Sequence, residues 1–75
     1  MMVMFTTSKF HCPFCEKAKR LLTEHGYKYI EYDIHTDPDA LQQFREHEFT
    51  KVPQVFYNGT LIGGYTNLKD WVENV

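Results

Sequence analysis

Two cysteines three positions apart, where an apolar run gives way to a helical pattern, constrain this chain more than any other feature. The stretch is His11-Cys12-Pro13-Phe14-Cys15-Glu16, and it holds both cysteines of the sequence. An apolar run, Met2 to Phe5, precedes it, and a helical pattern, Lys17 to His25, follows it. A pair this close encloses so short a loop that a disulfide between them constrains the unfolded chain little. Small secreted proteins staple distant segments instead. The pair therefore reads as catalytic or metal-binding, in a compartment that keeps thiols reduced.

The chain on either side reads as a scaffold. Met2-Val3-Met4-Phe5-Thr6 is short, apolar and β-compatible, and predicts a buried first strand. Thr7 to His11 is a loop. Pro13 suits the first helical position, where its missing N–H is no loss, so Cys12 is expected at the N-cap. Ala18, Leu21 and Leu22 form a helical stripe that stops at Gly26, a favourable C′ residue. Cys15, Ala18 and Leu22 share a face, so Cys15 is expected to point inward while Cys12 stays at the exposed tip. Tyr27 to Ile34 alternates and predicts a second strand. Strand, helix and strand over about thirty residues make a βαβ unit, with parallel strands and a right-handed crossover.

Asp37-Pro38 supplies an N-cap and an N1 proline for a second helix, with Asp39 in its first turn. Leu41, Phe44 and Phe49 are expected on its inner face. Val52 to Tyr57 reads as the third strand, Asn58-Gly59 as a type I′ hairpin turn and Thr60 to Ile62 as an antiparallel fourth strand. Gly63-Gly64 breaks it. Thr66 or Asn67 is expected to cap a last helix, Leu68 to Asn74, with Leu68, Trp71 and Val72 on one face. The order βαβ-αββα predicts an α/β layer fold: a mixed four-stranded sheet flanked by three helices, one domain over residues 1–75.

Composition narrows the function classes. The chain is 43% hydrophobic and 16% aromatic, which suits a compact core rather than disorder. Eight Lys and Arg against ten Asp and Glu give a net charge of −2, without the basic excess that nucleic-acid binding needs. No apolar run approaches the roughly 20 residues of a membrane span. Met1 to Phe5 is too short for the apolar part of a signal peptide. The expectation is a cytoplasmic protein with no nucleic-acid or membrane partner.

At the cysteine pair, residues three apart on a helix bring their Cβ atoms to about 5–6 Å. A disulfide wants them near 4 Å. A first helical turn can close that gap with small adjustment. At the N-cap, Cys12 meets unpaired backbone N–H groups and the positive end of the helix dipole, and Lys9 adds positive charge. The expectation is a lowered Cys12 pKa and a nucleophilic thiolate. Cys15, one turn further in, keeps its proton longer and acts as the resolving thiol. A zinc site would need a second ligand pair. His11, His25, His35 and His47 do not form one at ligand spacing, so no metal is expected.

Three motifs, in order, resemble the glutaredoxin family: Lys9-Phe10-His11-Cys12-Pro13-Phe14-Cys15, Lys51-Val52-Pro53-Gln54-Val55-Phe56 and Gly63-Gly64-Tyr65-Thr66-Asn67-Leu68. The resemblance covers nearly the whole chain. It implies a thioredoxin-like fold, a cis Val52-Pro53 peptide beside Cys12, and a glutathione groove between the CPFC helix, that loop and the Gly64–Thr66 turn. Lys9, Phe14, Lys51, Val52, Pro53, Gly64, Tyr65, Thr66 and Asn67 would form the groove. Glutathione carboxylates would meet Lys9 and the N–H groups at the start of the last helix. Glutathione, protein disulfides, glutathionylated proteins and, by analogy, ribonucleotide reductase are the implied partners of a monomer. The chain departs from the family pattern at Lys51, often threonine, and at Asn67, often aspartate. Asn67 leaves open a glutaredoxin-like hydrogen donor recharged by thioredoxin reductase. An iron–sulfur-bridged dimer, held through Cys12 and glutathione, is a further alternative that the rigid Pro13 and the resolving Cys15 disfavour by analogy.

Overall fold

The computed structural model describes residues 1–75. Seven elements follow in order: β1 (Met2–Thr6), α1 (Pro13–Glu24), β2 (Tyr29–Asp33), α2 (Pro38–Glu46), β3 (Gln54–Tyr57), β4 (Thr60–Gly63) and α3 (Tyr65–Glu73). They form one four-stranded sheet in the order β2-β1-β3-β4. β1 and β2 are parallel, as the βαβ reading requires, and β1–β3 and β3–β4 are antiparallel.

Alternation along the strands assigns the two faces. Met2, Met4 and Val55 point to one side and pack with Ala18 and Leu22 of α1 and Leu68 and Val72 of α3. Phe5 points to the other side, where it meets Ala40 and Phe44 of α2. Met4, Ala18, Leu22, Val55 and Leu68 are wholly shielded. Each large aliphatic side chain buried this way contributes about 1.5–3 kcal/mol. The smaller face is aromatic: Phe5, Phe44, Phe49 and Phe56 stack edge to face at 5.5–6.2 Å. No helix is long and apolar enough to cross a membrane.

Several boundaries differ from the sequence expectation, each for a local reason. β2 begins at Tyr29, not Tyr27, because Tyr27 still belongs to the end of α1. Its N–H donates to Leu22 O at 2.9 Å and the Gly26 N–H donates to Thr23 O at 3.1 Å, the two bonds of a Schellman stop with Gly26 at φ 78°. β2 is an edge strand on which Ile30 and Tyr32 remain 40% and 36% exposed. Phe49 lies beyond α2. The Phe49 N–H donates to Phe44 O and the Glu48 N–H to Arg45 O, so a second Schellman stop folds Phe49 back onto Phe44. Here the left-handed position is filled by Glu48, at φ 59°.

β3 starts at Gln54, because Val52-Pro53 forms a cis-peptide loop before it. Asn58 and Gly59, at φ 49° and 83°, make the two-residue turn into β4, with Tyr57 opposite Thr60. The last helix begins at Tyr65, earlier than expected. Its N-cap is Gly64, not Thr66 or Asn67.

Candidate active site

One end of the sheet collects the relevant segments. β1 leads at its C-terminal end into the loop before α1, and Phe5 there lies opposite Gln54, the first residue of β3. Val55 lies opposite Gly63, the last residue of β4. The start of α1, the Val52-Pro53 loop and the start of α3 therefore emerge together. Phe14 on α1 lies 5.9 Å, ring to ring, from Tyr65 on α3. A Cβ placed on Gly64 would sit 3.6 Å from the Pro53 carbonyl oxygen, an ordinary contact that shows how closely turn and loop approach.

Cys12 caps α1 with extended backbone, at φ −120° and ψ 90°, and Pro13 opens the helix as expected. The Cys15 N–H donates to Cys12 Sγ at 3.3 Å. The two cysteines are joined in a disulfide with their Cα atoms 5.3 Å apart. Cys15 is 2% exposed, as its place on the Ala18–Leu22 face predicts. Cys12 does not stay at an exposed tip: only 9% of its surface is open. Its Sγ turns back over the helix end toward the Cys15 N–H instead of projecting into solvent.

Eight of the nine residues named for the groove line one cavity of about 370 Å³: Phe14, Lys51, Val52, Pro53, Gly64, Tyr65, Thr66 and Asn67. Lys9 is not among them. It lines a separate cavity, which shares only Lys51 and Val52 with the first. Gln54, which the sequence reading passed over, completes the groove, and its Nε2 donates to Lys51 O at 3.1 Å to hold the loop. Nothing in the sequence separates that glutamine from any other polar residue at a strand start.

The two adjacent glycines have different roles. Gly63 sits at φ 124°, a backbone region essentially reserved for glycine. A Cβ there would meet Asn67 Oδ1 at 2.6 Å. Gly64 has no such constraint. Asn67, in the first turn of α3, accepts the Gly64 N–H on Oδ1 at 3.2 Å. The N–H groups of that first turn lack partners within the helix and point toward the groove end of the molecule.

A second anchor, also missed in the sequence, is Asp33. One of its oxygens accepts the Ser8 N–H at 3.0 Å and the His35 N–H at 2.9 Å. Burial alone would raise the Asp33 pKa, but these hydrogen bonds outweigh it and hold the carboxyl below its ordinary range. The loop leading to Cys12 is thereby tied to the turn after β2. Behind the site, the buried Thr6 hydroxyl donates to Glu31 at 2.7 Å, and Lys19 bridges Glu31 and Glu16 at 3.1 Å each. Partial burial opposes the Lys19 charge, and the two carboxylates overcome it and raise its pKa.

The sequence matches the Glutaredoxin family model over residues 2–62. The chain belongs to the glutaredoxin family. A probable glutaredoxin of Synechocystis is 46% identical over 59 residues, which cover 76% of this chain and 54% of that relative, so this chain spans about half its length. Among solved structures, a buckwheat glutaredoxin–glutathione complex superposes with a TM-score of 0.79 at 25% identity, over 97% of this chain and 68% of that one. The glutaredoxin-like NrdH-redoxin of Escherichia coli, which has a thioredoxin-like activity profile, superposes at 0.80 over 99% of this chain and 92% of its own. At 19% identity that likeness speaks for the fold alone. The architecture is thioredoxin-like, and Cys12-Pro13-Phe14-Cys15 fits the family's CxxC active site.

Proposed function

We propose that this glutaredoxin-family chain is a dithiol–disulfide oxidoreductase that reduces protein disulfides and glutathione mixed disulfides, with glutathione as its reductant. The observation that carries the reading is the Cys12–Cys15 bond across the first turn of α1, Cα atoms 5.3 Å apart, at the sheet end that holds the groove.

In the reduced protein, the Cys12 thiolate attacks one sulfur of a client disulfide. That S–S bond breaks, a mixed disulfide forms, and the client's other sulfur leaves as a thiolate. Cys15 then attacks Cys12 Sγ, its proton passing to the departing client sulfur. The Cys12–Cys15 disulfide closes, and two electrons have moved to the client. Two glutathione molecules reverse the bond and leave as glutathione disulfide. The N-cap position favours the Cys12 thiolate through the helix dipole and the N–H groups around it.

The groove supports glutathione as the reductant. The Val52 backbone offers an edge to an extended thiol, as in strand addition. The first-turn N–H groups of α3 offer a carboxylate site. Lys51 adds charge at the rim, and Lys9 stands beyond the Lys51–Val52 ridge. Ribonucleotide reductase and glutathionylated proteins belong to the proposed client range, in the cytoplasm, with the monomer as the working unit.

Asn67 favours a second reading. It carries no charge for the amino group of the glutathione γ-glutamyl unit, and its Oδ1 already accepts the Gly64 N–H. That suits a hydrogen donor recharged by thioredoxin reductase. NADPH consumption with glutathione and glutathione reductase, against thioredoxin reductase alone, separates the two. Cys12→Ser and Cys15→Ser test the roles: the first is expected inactive, and the second is expected to keep deglutathionylation while losing protein-disulfide reduction. An inactive Cys15→Ser beside an active Cys12→Ser would reverse the assignment.

A further inference from the structure

The sheet has two free edges, β2 and β4, and they are not alike. β2 carries Glu31 and Asp33 among its five residues. Charged side chains are a usual protection of an exposed strand against pairing with another chain. β4, Thr60-Leu61-Ile62-Gly63, has neither a charge nor a proline, and Leu61 is 47% exposed. Tyr57 and Thr60 close the two-residue turn, so the next pair, Phe56 and Leu61, is one that exchanges no hydrogen bonds. Leu61 therefore turns its N–H and C=O away from β3, toward solvent. The register shift in this ladder lies beyond that pair, between Val55 and Phe56.

A cavity of about 660 Å³ runs along the same edge, between β4 and α3. Tyr57 and Trp71 line it with their rings 4.9 Å apart, and Tyr27 packs on Trp71 at 5.6 Å. Asp70 is the one charged side chain in the lining. Its carboxylate forms no ion pair, since both salt bridges of the molecule belong to Lys19. The Asn74 side chain donates to the Asp70 backbone carbonyl at 2.7 Å, not to the carboxylate. An aromatic pair beside an unpaired acid suits a cation: the ring faces attract it and the carboxylate answers its charge. Asn67 alone is shared with the groove, so this cavity stands outside the thiol chemistry.

We infer that the β4 edge takes an extended segment of a partner protein as a fifth strand, with a lysine or arginine of that segment lying over Tyr57 and Trp71 against Asp70. Strand pairing supplies backbone bonds at Leu61 whatever the partner's sequence, and alternate side chains of the added strand supply the selection. Ile62 packs against the core beneath α3. Side chains of the added strand that point to the same side of the sheet reach the cavity. Charge complementarity makes the selected residue cationic, because the lining holds one carboxylate and no positive group. A second copy of this chain fits the seat less well, since β4 brings no cation of its own to a facing Asp70. The surface goes beyond the thiol–disulfide exchange reading and does not depend on it.

Trp71 is the only tryptophan of the chain, so its fluorescence reports this cavity directly. The probes are short, capped peptides of alternating Thr and Val, free of cysteine and aromatic residues, with Arg, Leu or Glu at the centre. They are titrated into the full chain in its disulfide form. The Arg peptide is expected to bind about five- to twentyfold more tightly than the Glu peptide, with the Leu peptide between them. Asp70→Lys should remove that preference. Leu61→Pro takes away the outward N–H and should abolish binding of all three peptides. An Arg peptide N-methylated on alternate residues cannot pair with an edge and should not bind; this arm needs no variant of the chain. Both variants should reduce the glutathione mixed disulfide of 2-mercaptoethanol within about twofold of the native rate. Equal affinities for the Arg, Leu and Glu peptides, or a preference that survives Asp70→Lys, would overturn the cation seat. Undiminished binding of the N-methylated peptide would overturn strand addition. Concentration-dependent self-association in sedimentation, lost in Leu61→Pro, would put a second copy on the edge and overturn the choice of partner. A chain that binds the Arg peptide as expected yet turns over no mixed disulfide would sink the proposed function and leave this surface standing.

Discussion

Replacing Gly63 by alanine strains the backbone and displaces a cap, and the two effects can be separated. The added Cβ would lie 2.6 Å from Asn67 Oδ1, 2.9 Å from Asn67 Cγ and 3.0 Å from Asn67 Cβ. At φ 124° the alanine also occupies a region that costs about 1–3 kcal/mol for a residue with a side chain. The Asn67 side chain can swing away, but the Gly64 N–H then loses its acceptor, a cap-type loss of about 0.5–1 kcal/mol at an exposed helix start. Gly63→Ala should therefore cost about 1.5–4 kcal/mol in all. A domain of this size has about 4–11 kcal/mol of stability, so Tm should fall by about 10–25 °C. In an Asn67→Ala background the contacts at 2.6 and 2.9 Å are gone and the cap is already lost. Only the backbone strain and the 3.0 Å contact remain, so Gly63→Ala should cost about 1 kcal/mol less there than in the native chain. Urea unfolding of the four proteins of this cycle, followed by circular dichroism, supplies the numbers. Gly63→Ala within about 0.5 kcal/mol of the native chain would refute the strain argument. An equal loss in both backgrounds would refute the role given to Asn67.

Glu48 holds the left-handed position of the stop after α2 at φ 59°, so Glu48→Gly should stabilise the chain by about 0.5–1 kcal/mol; urea midpoints at constant m-value test this. Asp33 has a lowered pKa, so its contribution to stability is present above the unfolded carboxyl value and is lost as pH falls through the folded one. Asp33→Asn can still accept the Ser8 and His35 N–H groups but does not titrate. Its urea stability should fall less than that of the native chain between neutral pH and the acid side of that window, and parallel losses would refute the linkage.

Short-range rules carried much of the fold. The Cys12-Pro13 cap, the Gly26 stop, the Asp37-Pro38 start and the Asn58-Gly59 turn each place a residue whose backbone preference has one use at that spot, and all four lie where expected. The end of α2 was harder to read, because Glu48 carries no signal that it will adopt a conformation glycine favours. The start of α3 was misplaced for a related reason. A glycine N-cap contributes no side chain, so the more familiar capping residues Thr66 and Asn67 drew the boundary inward. At the site, the contiguous motifs bring eight of the nine named residues around one cavity, while Lys9 lines the neighbouring one, because a spacing of three residues from Cys12 says nothing about which side of the Lys51–Val52 ridge a loop residue faces. Asp33 was invisible because its partners are backbone N–H groups on two different segments.

Asn67 makes more sense against the sheet topology than against the family pattern. β4 runs antiparallel to β3, and β3 antiparallel to β1, so β4 is parallel to β1 and β2. All three helices consequently begin at the same end of the sheet as Cys12. Each helix start carries roughly half a positive charge. An acidic chain thus presents a positive end to which the helix starts add their own charge beside Lys9 and Lys51. The three starts are not equally available. α2 is answered by its own Asp37 cap and Asp39, and α1 has Glu16 in its first turn. The first turn of α3 has no acid. An aspartate at position 67 would accept the Gly64 N–H as Asn67 does, but it would also cancel the field of α3. With asparagine the cap is kept and the helix start stays positive for an incoming carboxylate. Asparagine rather than aspartate at position 67 therefore leaves α3 as the one helix at this end of the sheet with no acid in its first turn.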